Sequence, residues 1–369
     1  MSHVSIITDH RQNWKVVHSL PDILFLTITA TIAGCDGWEE ISDFGDDNID
    51  WLKKFSDFKG GVPSYHTIGR VFSAIDPRQF RKAFAKWMND CQEMTHGEII
   101  AIDGKCLKGS YHQDDKKDAI YMVSAFAEAN EVVLGQIKVE SKSNEITAVP
   151  KLLDLLDIRG CLITIDAMGC QTKIAKKIVD KGGDYLLAVK GNQGRLFTKL
   201  NEIFNVHRLN SASENIFSQS NKGHGREETR HHMVIHDLTE LGDIQFEWPE
   251  LKSIGYSVSF RKEGNKKETC SFRFYISSAK LSAEEFAYAA RAHWSIEVKL
   301  HWKLDTAFNE DACRIRRENS DENLAMVRHT AINLLKNEKT FKASMKRKLK
   351  KANRNTSYVE KVLIGRDLS

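Results

Sequence analysis

Three acidic residues occupy positions from which carboxylates could bind metal ions. Asp103 follows the apolar run at residues 99–102, Asp166 follows a second run at residues 161–165, and Glu297 lies in a strong helical pattern. Carboxylate oxygens are hard ligands that suit Mg²⁺ or Mn²⁺. Two such ions can stabilise the attacking and leaving oxygens of an in-line phosphoryl displacement. Two carboxylates at strand ends and a third on a later helix therefore predict a two-metal site for phosphoryl transfer.

Each aspartate alone also fits a simpler role, because an aspartate after a strand commonly closes a turn or caps a helix. The pair is more informative, since both Asp103-Gly104 and Asp166-Ala167 place a small residue after the acid. A small neighbour lets a phosphate backbone approach closely. The carboxyl ends of buried strands also open onto the crevice in which α/β sheets bind ligands. We therefore expect the two aspartates to share a site.

Glu297 lies between two histidines on the same side of the predicted helix. His293 and His301 are four residues to either side of it, which places all three side chains on one face. This polar face belongs to an otherwise apolar helix, so we expect it to face the site. The histidines are about 12 Å apart along the helix axis, so they cannot bind one zinc ion together. Phosphate contact or proton transfer is their expected role.

Further polar residues follow strand ends on the same side of the predicted sheet. They are Lys105, Lys108, Lys190, Asn192 and Gln193. A lysine binds phosphate as a point charge, so these residues are candidates for contact with a phosphate backbone. Each of them is explained equally well as an ordinary loop residue.

A second group of polar candidates follows a glycine-rich turn later in the chain. Arg230, close to Glu228, could belong to a substrate-binding loop, and three histidines come after it: His231, His232 and His236. The segment has the pattern of a strand, in which His232 and His236 share a face but lie far apart along it. We therefore expect surface or nucleic-acid-contacting histidines here, and no metal ion shared between them.

The hydrophobic periodicity predicts the α/β fold class. The expected segments are an all-helical N-terminal domain at 1–95, the first part of a catalytic core at 96–209, a β-rich insertion at 210–280, core helices carrying Glu297 at 281–337, and a basic tail at 338–369. The helical domain is either a nucleic-acid-binding module or a bundle that packs on the core. Within the insertion, the polar segment 210–225 is expected to be a loop.

The composition is that of a globular protein, with 41% hydrophobic and 28% charged residues and a net charge of +4. The distribution of charge is more informative than its sum, because nine Lys or Arg lie between residues 336 and 354 beside the single acid Glu338. Such a segment commonly contacts nucleic acid, although a solvated basic terminus explains it equally well.

The remaining composition narrows the class of protein. Seven cysteines are scattered without a CxxC motif, which is typical of reduced thiols in a cytoplasmic protein and argues against a thiolate zinc site. No signal peptide is recognisable, and the longest apolar stretch, Ile23–Ala33, is too short to span a bilayer. Neither a dinucleotide-binding nor a phosphate-loop motif occurs, so a dehydrogenase or kinase has little support.

At this point the motifs of the chain resemble those of the H-repeat-associated transposases, which are DDE transposases found beside Rhs elements. The matching stretches are Trp51–Phe55 with Gly61–Ser64 and Arg70–Phe72, Ile102–Lys105, Thr164–Gln171, Ala188–Gln193, Gly223–Arg226 with Glu228–Arg230, and His293–Trp302 with Leu304–Asp305 and Glu310–Asp311. Together they cover nearly the whole chain.

The resemblance implies an RNase H-like catalytic core interrupted by the β-rich insertion, with Asp103, Asp166 and Glu297 as the catalytic, metal-binding triad. It also implies two Mg²⁺ or Mn²⁺ ions, double-stranded DNA as the partner at element ends and target, and a homodimer on that DNA. The polar candidates then become expected DNA contacts: Lys105, Lys190, Asn192, Gln193, Arg230, His293 and His301.

The chain departs from the pattern of these relatives around the catalytic glutamate. Val298 stands where they usually have asparagine, while Ala290, His293 and Leu304 stand at positions where the wider group has tyrosine, arginine and lysine. Two alternatives to an active transposase therefore stay open. One is a nuclease that cleaves DNA without joining it, and the other is a catalytically inactive DNA-binding relic.

Overall fold

The computed structural model describes residues 2–91, 97–107, 120–139, 145–209, 215–223, 225–264 and 266–364. Its N-terminal part is helical, as the sequence predicts. Ser19 caps α1 (Leu20–Ile32) by accepting a hydrogen bond from the backbone N–H of Asp22, and Pro21 lies in the first turn. Four more helices follow: α2 (Trp38–Asp47), α3 (Ile49–Leu52), α4 (Tyr65–Ala74) and α5 (Pro77–Cys91).

Strands and helices alternate in the next part of the chain. The elements are β1 (Ile99–Leu107), β2 (Ile120–Ala127), β3 (Val132–Val139), α6 (Glu145–Leu155), β4 (Leu162–Ile165), α7 (Thr172–Asp180), β5 (Asp184–Val189) and α8 (Gly194–Leu209). The strands lie in the order β3-β2-β1-β4-β5. β2 is antiparallel to β1 and to β3, whereas β1, β4 and β5 are parallel. The carboxyl ends of β1, β3, β4 and β5 therefore point to one edge of the sheet.

The predicted insertion continues the same sheet. Its strands are β6 (Ile216–Gly223), β7 (Arg226–Ile235), β8 (Ser253–Glu263) and β9 (Thr269–Ser277), and β9 pairs antiparallel with β5 to give a nine-stranded mixed sheet. The expectation of a loop at 210–225 was wrong, because β6 occupies most of the part that the structure describes. β6 is an edge strand whose side chains are almost all exposed. Without a buried face it has no apolar alternation to reveal it.

The C-terminal part returns to helices: α9 (Ala283–His293), α10 (Trp302–Ala307), α11 (Ser320–Asn337), α12 (Met345–Arg354) and α13 (Thr356–Ile364). α9 begins at a capping box, with reciprocal hydrogen bonds between Ser282 and Glu285. Between α9 and α10 the helix passes through a π turn at Glu297–His301. The sequence pattern had predicted one uninterrupted α-helix there.

α11 brings the C-terminal part of the chain into contact with the N-terminal helices and the sheet. It is buried along nearly its whole length and packs against α1, α4, α5 and β3. Its Asn333 side chain accepts a hydrogen bond from the backbone N–H of Val133 at 2.9 Å and donates one to the carbonyl of the same residue at 2.8 Å. This contact satisfies backbone groups on the outer edge of β3, which would otherwise be unpaired. α5 thus packs directly on β3, and α1 and α4 are connected to the sheet through α11.

The described part of the basic segment, up to residue 364, is folded into α12 and α13. Met345, Leu349 and Ala352 are buried on one side of α12. Lys348 is also buried, and its ammonium donates hydrogen bonds to the backbone carbonyls of Leu335, at 2.7 Å, and Glu338. Lys346, Lys350 and Arg354 are exposed, whereas Lys351 is half-buried against the rings of Phe341 and Tyr358.

Two further expectations concern membranes and thiols. Over the ranges that the structure describes, no helix is both long enough and apolar enough to cross a lipid bilayer. The cysteines described with their surroundings are free: Cys35, Cys106, Cys161, Cys170, Cys270 and Cys313.

Candidate active site

The register of two parallel strands places Asp103 beside Asp166. β1 pairs with β4 as far as Ile102 and Ile165, and the two aspartates are the next residue on each strand. β4 ends there, whereas β1 continues to Leu107 against β2. Asp103 is therefore in the middle of a strand, and the prediction that this strand ends at Ile102 was wrong. The end of β4 leaves one side of β1 open, and that opening is where the two carboxylates meet.

A small cavity at this opening brings in a further carboxylate. Asp103, Asp166 and Glu145 line it, together with apolar side chains from β1, β2, β4 and α6. Glu145 is the first residue of α6, and its carboxylate lies so close to Gly104 that a Cβ atom there would be 2.6 Å from Oε1. A glycine at position 104 thus makes room for this carboxylate.

Glu145 was missed in the sequence analysis. The available signal was an acid in the first turn of the helix that follows β3. Because β3 runs in the same direction as β1, the start of that helix lies at the same edge of the sheet as Asp103 and Asp166. Because β3 returns antiparallel to β2, the position of this helix start follows from the order of the strands.

The pKa of Asp103 reflects both its burial and the acidic side chains around it. Burial raises the pKa of its carboxyl group to about 7, and the nearby charges of Asp166, Glu297 and Glu145 add to the increase. A hydrogen bond from the backbone N–H of Gly104 opposes it. Negative charge is therefore concentrated here and would be relieved by a bound cation.

Asp166 also closes its own turn, as the simpler interpretation expected. Its Oδ1 accepts hydrogen bonds from the backbone N–H groups of Met168 at 2.9 Å and Gly169 at 3.3 Å. The turn is held from a second direction, because the side-chain amides of Asn192 and Gln193 donate to the carbonyls of Ala167, at 2.7 Å, and Cys170, at 2.8 Å. Both amides had been predicted to contact DNA, and in the structure they support the loop after Asp166.

Glu297 begins the π turn and is exposed. In this turn the backbone N–H of Trp302 donates to the carbonyl of Glu297, five residues earlier. The extra residue changes the direction in which later side chains point, relative to an uninterrupted α-helix. Leu300 and His301 are consequently buried while Glu297 stays open to solvent.

The two histidines lie beside the two aspartates. His301 is buried with its Nδ1 3.7 Å from Oδ2 of Asp103, and His293 has its Nδ1 3.3 Å from Oγ1 of Thr164, two residues before Asp166. Burial lowers the pKa of both imidazoles, that of His301 to about 3 with a further contribution from the charge of Lys105. His301 is therefore uncharged at neutral pH.

Lys105 is buried, whereas a phosphate contact would have to be exposed. Its side chain is only 9% exposed, and its ammonium pairs with Glu310 at 2.7 Å and with Asp305. A phosphate would have to displace these carboxylates, so the structure does not support Lys105 as a DNA contact. Lys190 is exposed directly after β5, and its role as a phosphate contact stays a prediction. Lys108 lies outside the described residues.

The candidates on β7 are spread over both faces of the sheet. Arg230 is mostly buried and pairs with Glu228. His232 is buried, whereas His231 contacts Ser218 at 2.7 Å and His236 contacts the carbonyl of Leu281 at 2.9 Å. The three histidines thus have different surroundings and do not converge on one point.

The four positions at which the sequence predicts a departure from the relatives differ in their surroundings. Ala290 and Leu304 are buried in the helix packing, His293 is partly buried, and Val298 is exposed. Val298 therefore changes the surface beside Glu297 without changing the packing of the helix.

Comparison with known proteins identifies the family. A family model described as "Transposase DDE domain" matches residues 95–334, and one described as "DDE_Tnp_1-associated" matches residues 1–88. This chain belongs to the DDE transposase family. Within it, the chain is 50% identical over 372 residues to "H repeat-associated putative transposase YhhI" of Escherichia coli (strain K12), covering all of this chain and 98% of the relative.

A second DDE transposase relative and one solved structure are also similar. "Putative transposase YncI" of Escherichia coli O157:H7 is 53% identical over 365 residues, which is 98% of this chain and 94% of that protein. A piggyBac transposase synaptic complex with hairpin DNA aligns with 98% of this chain and 79% of that chain at a TM-score of 0.45 and 13% identity.

Divalent metal ions are usual in the DDE transposase family, and the donors present here suit them by chemistry. Asp103, Asp166, Glu145 and Glu297 offer the hard oxygen ligands that Mg²⁺ and Mn²⁺ prefer. In the described part of the chain, no group of three or more His, Cys, Asp or Glu side chains is arranged so that it could hold one metal ion.

Proposed function

We propose that this chain cuts DNA at the ends of an insertion element and transfers those ends to a target. The observation that carries the proposal is the register of β1 and β4, in which Asp103 and Asp166 are neighbours where the two strands part. The influence of Glu297 on the pKa of Asp103 supports all three acids as parts of one site. Membership of the DDE transposase family supports the same class of reaction.

The proposed framework is an RNase H-like core formed by the first five strands. The order β3-β2-β1-β4-β5, with only β2 running against the others, supports it. In this proposal β6–β9 are the insertion, and they extend the core sheet from β5. The helices before residue 96 serve to pack the core through α11, and DNA binding by them is not required.

We propose that Asp103 binds both metal ions, that Asp166 completes the site of one, and that Glu297 completes the site of the other. Such ions, when bound, lower the pKa of a water or DNA 3′-hydroxyl nucleophile and stabilise the departing 3′-oxygen. The protein's own residues supply orientation. Backbone N–H groups fix the carboxylate of Asp166, and uncharged His301 fills the space beside Asp103.

Double-stranded DNA is the proposed partner, at both element ends and target. Among the predicted contacts, exposed Lys190 is the one we retain as a phosphate ligand. Asn192, Gln193, His293 and His301 are proposed to act indirectly, through the loop and strand that carry the aspartates. Because two element ends must be brought together, a homodimer on DNA is proposed, and the cytoplasm is where its DNA would be found.

The test uses the full-length protein and DNA that carries the repeats flanking its own gene. Wild type, Asp103→Asn and Glu297→Gln are compared for cleavage in Mg²⁺ and in Mn²⁺, and for binding by gel shift. We expect metal-dependent nicks at the repeat ends that both substitutions abolish, with DNA binding retained. Cleavage that survives either substitution would contradict the assignment of the triad.

Two other outcomes separate the alternatives. Nicking without strand-transfer products in a plasmid assay would indicate a nuclease that does not join ends. A wild-type protein that binds the repeats but does not cleave them in either metal would indicate an inactive relic. In that case, Val298→Asn is the first variant to examine, because position 298 is exposed beside Glu297 and can be changed without disturbing the packing.

A further inference from the structure

A buried ion pair connects the strand of Asp103 to the helix of Glu297. Lys105 is two residues after Asp103 on β1, so the two side chains point to the same side of the sheet. Its ammonium pairs with Asp305 on α10 and lies 2.7 Å from Oε2 of Glu310, just beyond that helix. Glu310 is only 3% exposed. One ammonium therefore holds together β1 and the end of the helical segment that begins with α9.

The burial of this pair indicates a geometric role. Removing charged groups from water costs free energy that their attraction only partly offsets, so a buried ion pair is a poor source of net stability. It does restrict geometry, because its members must stay together. The chain also adopts a left-handed conformation at Asn309, with φ of 53°, before the short turn Glu310–Ala312 that carries Glu310. This turn brings Glu310 back to the ammonium that Asp305 already contacts.

A second contact fixes the same helix on the other side of Glu297. His293 lies at the end of α9, and its Nδ1 is 3.3 Å from Oγ1 of Thr164 on β4. The π turn at Glu297–His301 falls between this contact and Asp305. If the π turn relaxed to regular α-helix, the residues on one side would rotate by about 100° relative to those on the other. Both anchors would then be misaligned, so together they select the π turn.

We propose that Lys105, through Asp305 and Glu310, is a positioning residue that keeps the Glu297 helix in the register in which Glu297 faces Asp103. This inference rests on the proposed function, because it assumes that Glu297 and Asp103 bind metal ions together. Its consequence is that loss of the Lys105 ammonium weakens metal binding although Lys105 touches neither the metal nor the DNA.

A matched control exists in the same sheet. Lys138 on β3 pairs with Asp321 on α11 at 2.6 Å, so it is also a strand lysine bound to a helix carboxylate. It joins the sheet to α11, and the ion pair that it makes there is separate from the one that reaches the helix of Glu297. Lys105→Met and Lys138→Met thus each remove a strand lysine that pairs with a helix carboxylate, but only Lys105 pairs with the segment that carries Glu297.

The experiment measures Mn²⁺ binding to the full-length protein from the electron paramagnetic resonance signal of free Mn²⁺, alongside thermal unfolding. We expect Lys105→Met to weaken binding about tenfold or more, the usual effect of losing a residue that orients a metal ligand. Lys138→Met is expected to bind Mn²⁺ as wild type does, even where its melting temperature falls. Lys105→Arg, which keeps the charge, is expected to recover part of the affinity.

The result that overturns the inference is a folded Lys105→Met variant with wild-type Mn²⁺ affinity. If that variant does not fold, Asp305→Asn takes its place, because Glu310 still pairs with the ammonium, and unchanged Mn²⁺ affinity overturns the inference there too. Failure of the proposed function is a different result, in which the wild-type protein itself binds no Mn²⁺.

Discussion

The side-chain amide of Asn192 donates a hydrogen bond of 2.7 Å to the backbone carbonyl of Ala167, the residue that follows Asp166. The sequence had grouped Asn192 with Lys190 as DNA contacts, because both follow β5. Both residues are exposed, but the amide of Asn192 is engaged with the loop of Asp166. Their substitution should therefore have different consequences.

Asn192→Ala is expected to reduce cleavage while leaving DNA affinity unchanged, because the loop after Asp166 loses one of its supports. The lost hydrogen bond should cost about 1 kcal/mol of stability. Lys190→Ala should instead weaken DNA binding and lower the slope of log affinity against log salt by about 1. Gel shifts over a range of salt concentrations, beside cleavage assays, distinguish the two. If Asn192→Ala weakened DNA binding, Asn192 would be a DNA contact after all.

Gly104→Ala tests whether Glu145 belongs to the site. The new Cβ would lie 2.6 Å from Oε1 of Glu145, so that carboxylate must move from its place in the cavity. We expect reduced metal-dependent cleavage with little change in melting temperature, since only the end of a flexible side chain has to shift. Gly191→Ala is the matched control, because a Cβ atom at that position meets nothing within 4 Å. Equal activity of the two variants would exclude a role for the position of Glu145.

The basic helix α12 offers a test that deletion of the C-terminal segment cannot give, because deletion would also remove buried side chains. Replacing exposed Lys346, Lys350 and Arg354 by glutamine should leave the melting temperature unchanged. If all three contact phosphates, the salt slope of DNA binding should fall by about 3. Lys348→Met should have the opposite profile, with a lower melting temperature and an unchanged slope, because the buried ammonium of Lys348 binds backbone carbonyls. An unchanged slope in the triple variant would mean that α12 does not contact DNA.

The pH dependence of stability has an identifiable contribution from His232. This side chain is buried between the rings of Phe217 and Phe286. Burial lowers its pKa from 6.5 to about 4, with further contributions from the charges of Arg230 and Arg291. Between these pH values the unfolded chain binds a proton that the folded chain does not, so stability falls as the pH decreases. The loss from this one group is at most about 3 kcal/mol.

His232→Phe should remove that contribution. The difference in the free energy of unfolding between variant and wild type should therefore shift in favour of the variant as the pH falls from 6.5 toward 4. Urea unfolding of both proteins across this range measures the difference. A difference that stays constant with pH would show that His232 is not the group responsible.

The parts of the fold that sequence reasoning reached are those with a local cause. The strands that lead to Asp103 and Asp166 are apolar runs, and α9 begins at a capping box that two residues define. The full length of β1 was not predictable in the same way, because residues beyond Asp103 are held in the sheet by β2 alone. That pairing depends on a neighbour and leaves no local pattern.

The missed features of the site also depend on distant partners. Lys105 looked like an exposed cation because its acceptors, Asp305 and Glu310, are far away in the sequence. The π turn is invisible to a period analysis, since one additional residue shifts the apolar pattern only slightly. Lys348 was counted among tail charges, although its ammonium is buried against carbonyls from the end of α11. In each case the residue type was noted, but its environment was set by tertiary contacts.

The position of α11 also means that the N-terminal helices cannot be covered until a late part of the chain has been synthesised. α1, α4 and α5 leave the ribosome first, yet the helix that covers their apolar surfaces is translated after the whole sheet. A message cut short by a stop codon before α11 would therefore yield a polypeptide that retains Asp103, Asp166 and Glu297 but exposes those surfaces. Because exposed apolar surfaces promote aggregation and proteolysis, we expect such a truncated product to be removed although its catalytic residues are present.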